Sequence, residues 1–178
     1  YTYTQPTNPF NFQRGNPTGV KSKIIGTSDY IRKAFYYDDD NQVCQLIQDV
    51  YVNGSIAGTE RNSSLYDFTG HLLKSKITHR PGVPEQRVFS KRFDYDPAGR
   101  LINTWLQLDN RPEILLRQNT WNELDQLVDV KLHSTDNGVT FRQSVDYRYN
   151  IRGWISSVNN SALIADGISN DETSDLFG

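Results

Sequence analysis

Five times in this chain an aromatic residue is followed by Asp or Asn, then by a turn-forming stretch, then by an aliphatic residue. The copies are Tyr37-Asp38-Asp39-Asp40-Asn41-Gln42-Val43, Tyr66-Asp67-Phe68-Thr69-Gly70-His71-Leu72, Tyr95-Asp96-Pro97-Ala98-Gly99-Arg100-Leu101, Trp121-Asn122-Glu123-Leu124-Asp125-Gln126-Leu127 and Tyr149-Asn150-Ile151-Arg152-Gly153-Trp154-Ile155. Their leading aromatics stand 29, 29, 26 and 28 residues apart. A recurrence at this period signals a repeat architecture, in which a small supersecondary unit buries its surface only against its neighbours.

The columns of the repeat have separable physical roles. The Asp or Asn after the aromatic can accept a hydrogen bond from the backbone two residues on, closing an Asx-turn. The fourth position after the aromatic is Asn41, Gly70, Gly99, Asp125 or Gly153. These residue types enter the left-handed region at least cost, as a hairpin turn demands. The sixth is Val43, Leu72, Leu101, Leu127 or Ile155, which is expected to start a return strand. Each unit therefore reads as strand, tight turn, strand.

Period-two alternation before and after the motifs supports strands. From Val139 to Tyr149 the odd positions are mostly apolar and the even positions are Thr, Arg, Ser, Asp and Arg. This predicts one strand with an apolar face and a wet face that carries Ser144 and Asp146. After the fourth motif, Val128, Val130 and Leu132 alternate with Leu127, Asp129 and Lys131. Aromatics make up 12% of the chain, which favours pleated, half-buried surfaces over helices. Between units stand Asn53-Gly54, Pro81-Gly82-Val83-Pro84, Asp109-Asn110-Arg111-Pro112 and Asp136-Asn137-Gly138, all turn formers.

Three segments result. Residues 1–29 are a strand and turn lead-in, with a strand predicted over Val20 to Ile25. Residues 30–160 are the repeat array, and 161–178 an acidic polar tail leading into further sequence. The chain holds no Met and opens on Tyr1-Thr2-Tyr3, which reads as a strand already under way, so it is expected to be an internal piece of a longer protein. A net charge of −2 argues against a nucleic-acid footprint. No apolar run approaches the ~18 residues of a membrane span. The single Cys44 leaves stability to burial and is expected to be a small buried hydrophobe.

Tyr95-Asp96-Pro97-Ala98-Gly99-Arg100-Leu101 matches the Tyr-Asp-x-x-Gly-Arg-Leu signature of YD repeats, and residues 147–160 look like the form found in RHS proteins of the Bacteroidetes. The chain thus resembles the RHS/YD-repeat family over residues 34–160 at least. Asn41 in the first copy, and Trp121-Asn122 with Asp125 in the fourth, depart from the usual Tyr-Asp and Gly. The resemblance implies an all-β fold, a curved antiparallel sheet of about five hairpins forming an arc of a β-spiral shell. It also implies a non-catalytic scaffold that encloses or presents a C-terminal toxin or effector domain in a larger secreted bacterial protein. The expected partners are the remaining YD repeats of the parent chain and that toxin domain, with a secretion apparatus or a cell-surface glycan as further candidates. The location implied is secreted or cell surface. A surface adhesion or carbohydrate-binding module built from the same repeats is the alternative.

No catalytic, cofactor or metal residue is expected. Asp94 and Asp96 lie two apart as paired carboxylates could, but Asp96 fills the turn column and Asp94 a wet face. Asp38-Asp39-Asp40-Asn41 has the oxygen density of a cation loop without the spacing of an EF-hand. His71, His79 and His133 occupy non-equivalent positions, without metal-ligand spacing, and read as surface or turn residues. Ser63-Ser64 and Ser156-Ser157 lack a nucleophile-elbow context. The column Tyr37, Tyr66, Tyr95, Trp121 and Tyr149 would stack on sugars if exposed. Packing in the sheet ladder is the favoured reading.

Overall fold

A computed structural model describes residues 15–81 and 86–159, and the first fourteen residues and the acidic tail lie outside it. Eleven strands and no helix occur among the described residues. They are β1 (Gly19–Lys23), β2 (Tyr30–Tyr37), β3 (Val43–Val52), β4 (Ser55–Tyr66), β5 (Leu72–Pro81) and β6 (Arg87–Tyr95). There follow β7 (Leu101–Leu108), β8 (Ile114–Trp121), β9 (Leu127–Ser134), β10 (Gln143–Tyr149) and β11 (Ile155–Val158). Backbone packing divides the chain into two compact units, Tyr1–Lys91 with Leu108–Asn110, and Arg92–Gln107 with Arg111–Gly178. The repeat pattern gave no hint of this division.

Within the first unit β1 to β5 pair antiparallel in chain order. Within the second, β7 to β11 do the same. Sequential hairpins of this kind need only short connections. The five motif aromatics end β2, β4, β6, β8 and β10, and the five aliphatics begin β3, β5, β7, β9 and β11. In four of the hairpins the register shifts by a bulge immediately before the aromatic, at Tyr36/Tyr37, Leu65/Tyr66, Thr120/Trp121 and Arg148/Tyr149. The extra residue lies on the return strand each time (Cys44, Leu73, Val128 and Ser156) and sharpens the local twist.

Few apolar side chains are fully covered: among the described residues Tyr37, Cys44, Leu115 and Val130. Most others are half-buried, covered by cross-strand neighbours rather than by a second layer of structure. Three sequence expectations fail here. The predicted strand Val139–Tyr149 begins only at Gln143, because residues 135–142 form a turn with Asn137 and Gly138 left-handed and Val139 80% exposed. The lead-in strand is Gly19–Lys23 rather than Val20 to Ile25, and Ile25 stands 98% exposed in the following turn.

The third failure concerns the wet face. Ser144 is completely buried, and Asp146 and Asp129 are 7% and 9% exposed, so residues read as solvated are among the best covered. Thr120 pairs with Asp129, and Asp129 with Asp146, in one cross-strand row. Opposed carboxylates repel, but the Ser144 hydroxyl donates to Asp129 Oδ1 at 2.8 Å and Lys131 Nζ lies 3.7 Å from Asp129 Oδ2. Hydrogen-bonded neighbours make such burial tolerable.

Candidate functional site

The five turns share one geometry. In each, the fourth-position N–H bonds to the Asx backbone carbonyl: Asn41 to Asp38 (3.2 Å), Gly70 to Asp67 (3.1 Å), Gly99 to Asp96 (2.9 Å), Asp125 to Asn122 (3.2 Å) and Gly153 to Asn150 (2.9 Å). The fourth-position φ values are 61, 89, 81, 60 and 79°. This is a type I turn closed by a left-handed residue, a standard way to join two strands.

Each Asx side chain accepts twice. Oδ1 of Asp38 takes the N–H of Asp40 and Gln42, that of Asp67 takes Thr69 and His71, and that of Asp96 takes Ala98 and Arg100. Asn122 does the same with Leu124 and Gln126, and Asn150 with Arg152 and Trp154. The bond four residues on is additional to the one expected two residues on. Asn serves as well as Asp because only one oxygen is used.

The further contacts of the turn carboxylates differ between copies. At Asp67 the Thr69 hydroxyl, helped by the Thr69 and His71 N–H groups, holds the carboxyl down at about 2. The Arg100 N–H and then its guanidinium hold Asp96 below the ordinary carboxylate range, Arg100 Nε lying 2.7 Å from Oδ2.

The aromatics join one repeat to the one before it. The Tyr66 hydroxyl donates to the carbonyl of Val43 (3.4 Å), Trp121 Nε1 to that of Leu101 (2.9 Å), and the Tyr149 hydroxyl to that of Leu127 (2.8 Å). In each case the acceptor is the sixth position of the preceding copy. Tyr37, which has no earlier copy, donates to the carbonyl of Pro17 at 2.8 Å. Tyr37 is buried, whereas Tyr66, Tyr95, Trp121 and Tyr149 are half-buried. The column thus works through a polar tip on an apolar body.

A further column escaped the sequence reading. In three copies the fifth-position side chain lies across the next turn. Arg100 Nη1 donates to the Asn122 carbonyl (3.1 Å) and to Asp125 Oδ1 (2.6 Å). Gln42 Nε2 comes within 3.1 Å of where a Cβ on Gly70 would stand, and Gln126 Nε2 within 3.3 Å of the same point on Gly153. The residue types at this position (Gln, His, Arg, Gln, Trp) share no obvious chemistry, only length, so no pattern of polarity exposed them.

The remaining candidates resolve into structural roles. Asp94 accepts Trp105 Nε1 at 2.7 Å and is paired with Arg92, and the Arg92 guanidinium stacks 4.6 Å from the Trp105 ring. Asp94 and Asp96 therefore serve separate networks. Of the acidic run, Asp38 is consumed by its turn while Asp39 and Asp40 face solvent. His71 Nδ1 lies 3.2 Å from Asp67 Oδ2 inside its own turn. His79 is no turn residue; it sits within β5, 3.4 Å from Glu60. His133 is left-handed (φ 59°) near the end of β9. Among the described residues no group of three or more His, Cys, Asp or Glu side chains could hold a metal ion.

Two open grooves lie in the second unit. One, of about 320 Å3, includes Asp96, Arg100, Asn103, Gln118 and Trp121; the other, of about 650 Å3, includes Gln126, Asp129, Asp146, Arg148, Tyr149 and Ser156. Most of their polar groups are already engaged in the turn and ladder bonds above. Within each unit, then, the strands and turns define a stack of Asx-turn hairpins tied copy to copy.

No family model matches the chain, and no curated protein matches it. Among solved structures it is similar to the crystal structure of TcdB2-TccC3 without hypervariable C-terminal region, at 16% identity and TM-score 0.47, over 73% of this chain and 8% of that one. It is also similar to the crystal structure of TcdB2-TccC3-Cdc42, at 17% identity and TM-score 0.45, over 72% of this chain and 8% of that one. The chain thus spans about 8% of the length of those proteins, and likeness of this order carries no function across.

Proposed function

We propose that this chain is a non-catalytic structural scaffold, a segment of an RHS/YD-repeat β shell that houses or presents a C-terminal toxin domain of a larger secreted bacterial protein. The observation that supports it best is the fate of the repeat's polar atoms. In all five copies the Asx oxygen holds its own turn, and in three the aromatic donor holds the previous copy. Side chains so engaged act on the fold itself and not on a substrate. The toxin cargo, the secreted or cell-surface location and the YD-repeat membership rest on the motif Tyr95–Leu101 and its four companions.

The test is expression of the parent reading frame with a protease site placed between repeats and C-terminal domain. After cleavage the scaffold reading expects the domain to remain bound and protected. A domain that separates freely, together with specific glycan capture by the repeats, would replace this reading with surface adhesion.

A further inference from the structure

The sequence contains the step Asn-Gly twice, at Asn53-Gly54 and Asn137-Gly138. An Asn followed by Gly can react with its own backbone. The Gly amide nitrogen attacks the Asn side-chain carbonyl carbon, and the Gly has no Cβ to stand in the way. Both steps have the same backbone form, left-handed at each residue: φ is 51 and 86° at the first, 60 and 92° at the second. Residue type and dihedral angles therefore do not distinguish them. Their surroundings do.

At the second step the reacting nitrogen is occupied. The Gly138 N–H donates to Ser134 Oγ at 2.8 Å, and Ser134 is completely buried. Asp136 accepts both the N–H and the hydroxyl of Thr140, which closes the loop around the step. A Cβ on Gly138 would stand 3.2 Å from Leu115 Cδ2, so this glycine is packed against the sheet.

The first step has no such restraint. Among the described residues the Gly54 N–H has no hydrogen-bond partner, and a Cβ on Gly54 would meet no atom within 4 Å. Asn53, Gly54 and Ser55 are all exposed. The pairing behind them is short. A bulge separates Val50↔Gly58 from Tyr51↔Ile56, with Ala57 the extra residue, so only the Tyr51↔Ile56 and Val52↔Ser55 pairs hold the tip. Opening two terminal pairs costs far less than opening the whole hairpin.

We propose that Asn53 is a site of self-modification, a chemical clock at the β3–β4 tip that converts to aspartate and isoaspartate, while Ser134 holds the Asn137 step unreactive. The reaction needs only water. The Gly54 nitrogen loses its proton and bonds to Cγ of Asn53, the Cγ–Nδ2 bond breaks, and ammonia leaves with that proton. Water then opens the five-membered imide at either carbonyl, and nothing is oxidised or reduced. Opening at the backbone carbonyl leaves the chain running through Cβ and Cγ, one backbone atom longer. Either product carries a new negative charge. The extra atom falls in a two-residue turn, where it disturbs the Tyr51 and Val52 pairs, and the bulge at Ala57 insulates the longer ladder behind them. This chemistry is independent of the scaffold reading.

The experiment ages the full chain in warm, mildly alkaline buffer and follows deamidation by peptide mass spectrometry, with electron-transfer fragmentation to separate isoaspartate from aspartate. Asn53 is expected to convert at least about fivefold faster than Asn137, the factor that one ordinary hydrogen bond on the nucleophile supplies. In concentrated urea the two rates should converge. Ser134→Ala, checked by circular dichroism for an intact sheet, should raise the Asn137 rate by about fivefold and leave the Asn53 rate unchanged. Aged protein should exchange amide hydrogens faster over residues 51–56 and at the original rate over residues 45–50. Equal rates at the two steps in the folded chain, or a faster Asn137, overturn the proposal. A difference that persists undiminished in urea assigns the selectivity to neighbouring sequence and overturns the structural account. An Asn137 rate unmoved by Ser134→Ala overturns the protective role of that hydroxyl.

Discussion

Gly153 is the position at which two columns of the repeat meet, and a substitution series there separates their contributions. Its φ is +79° and its N–H closes the turn onto the Asn150 carbonyl at 2.9 Å. An L-residue with a Cβ is strained in this region by about 1–2 kcal/mol. Replacing Gly also narrows the unfolded ensemble, which offsets about 0.4–1 kcal/mol of that strain. Gly153→Ala should therefore lower stability by about 1 kcal/mol. The new Cβ would also stand 3.3 Å from Gln126 Nε2, but that atom is the far end of a flexible side chain and can give way. Gly153→Val adds β-branching in a conformation it strongly disfavours and should cost about 2 kcal/mol or more. Gly153→Asn should cost about 0.5 kcal/mol or less, because Asn41 and Asp125 hold the equivalent place in their own turns at φ 61° and 60°. The assay is urea unfolding of the full chain by circular dichroism, repeated in a Gln126→Ala background. Coupling between the Ala substitution and Gln126 below about 0.5 kcal/mol is expected if backbone strain dominates. An Asn variant as damaging as Val, or a Val variant indistinguishable from wild type, would refute the turn assignment.

Tyr149→Phe and Trp121→Phe each remove one inter-repeat donor, and calorimetry should show a loss of about 1 kcal/mol apiece. Asn150→Ala removes two bonds to backbone N–H groups and should cost about 1–3 kcal/mol, whereas Asn150→Asp should be close to neutral; urea midpoints decide between them. The carboxyl of Asp67 titrates near 2 when folded, below its ordinary value, so its contribution is complete above the ordinary carboxylate range and disappears as pH falls toward 2. An Asp67→Asn chain should accordingly lose less stability between pH 5 and pH 2 than wild type in acid titrations followed by fluorescence. Arg100→Gln should weaken the link to Asp125, which is 76% exposed, only slightly in urea midpoints, and 1 M salt should erase most of the difference.

What could be read from the residues was whatever repeats with a fixed chemical identity. Aromatic, Asx, left-handed and aliphatic positions each draw on a narrow set of residue types, so five copies reinforce one another. The strand limits follow, since β3, β5, β7, β9 and β11 start at the aliphatic column. The fifth position was illegible because length and reach, which matter there, are shared by Gln, Arg and Trp. The buried polar group of Asp129, Ser144 and Asp146 was misread for a different reason. Period-two patterning assumes that polar means solvated, yet cross-strand neighbours can cover a short polar side chain as well as an apolar one, and here Ser144 donates to Asp129. The loop at 135–142 hid inside an alternating pattern because Val139 and Phe141 fell in phase with the strand that begins at Gln143. Ser134, wholly buried, fixes that loop by accepting the Gly138 N–H at 2.8 Å and donating to Asp136 at 2.6 Å, contacts no periodicity reports.

The bond from each aromatic to the sixth residue of the copy before it ends on a backbone carbonyl, and a carbonyl is the same whatever side chain it belongs to. The join is therefore indifferent to sequence on the receiving side. A hairpin could be excised or duplicated whole, and the flanking copies would still find a matching acceptor. Val43, Leu101 and Leu127 already show three such acceptors on two different aliphatic side chains, met by Tyr and by Trp. Such a chain can change its length in steps of one hairpin while keeping these backbone joins, whereas a gain or loss of two or three residues inside a strand would put later bonds out of register.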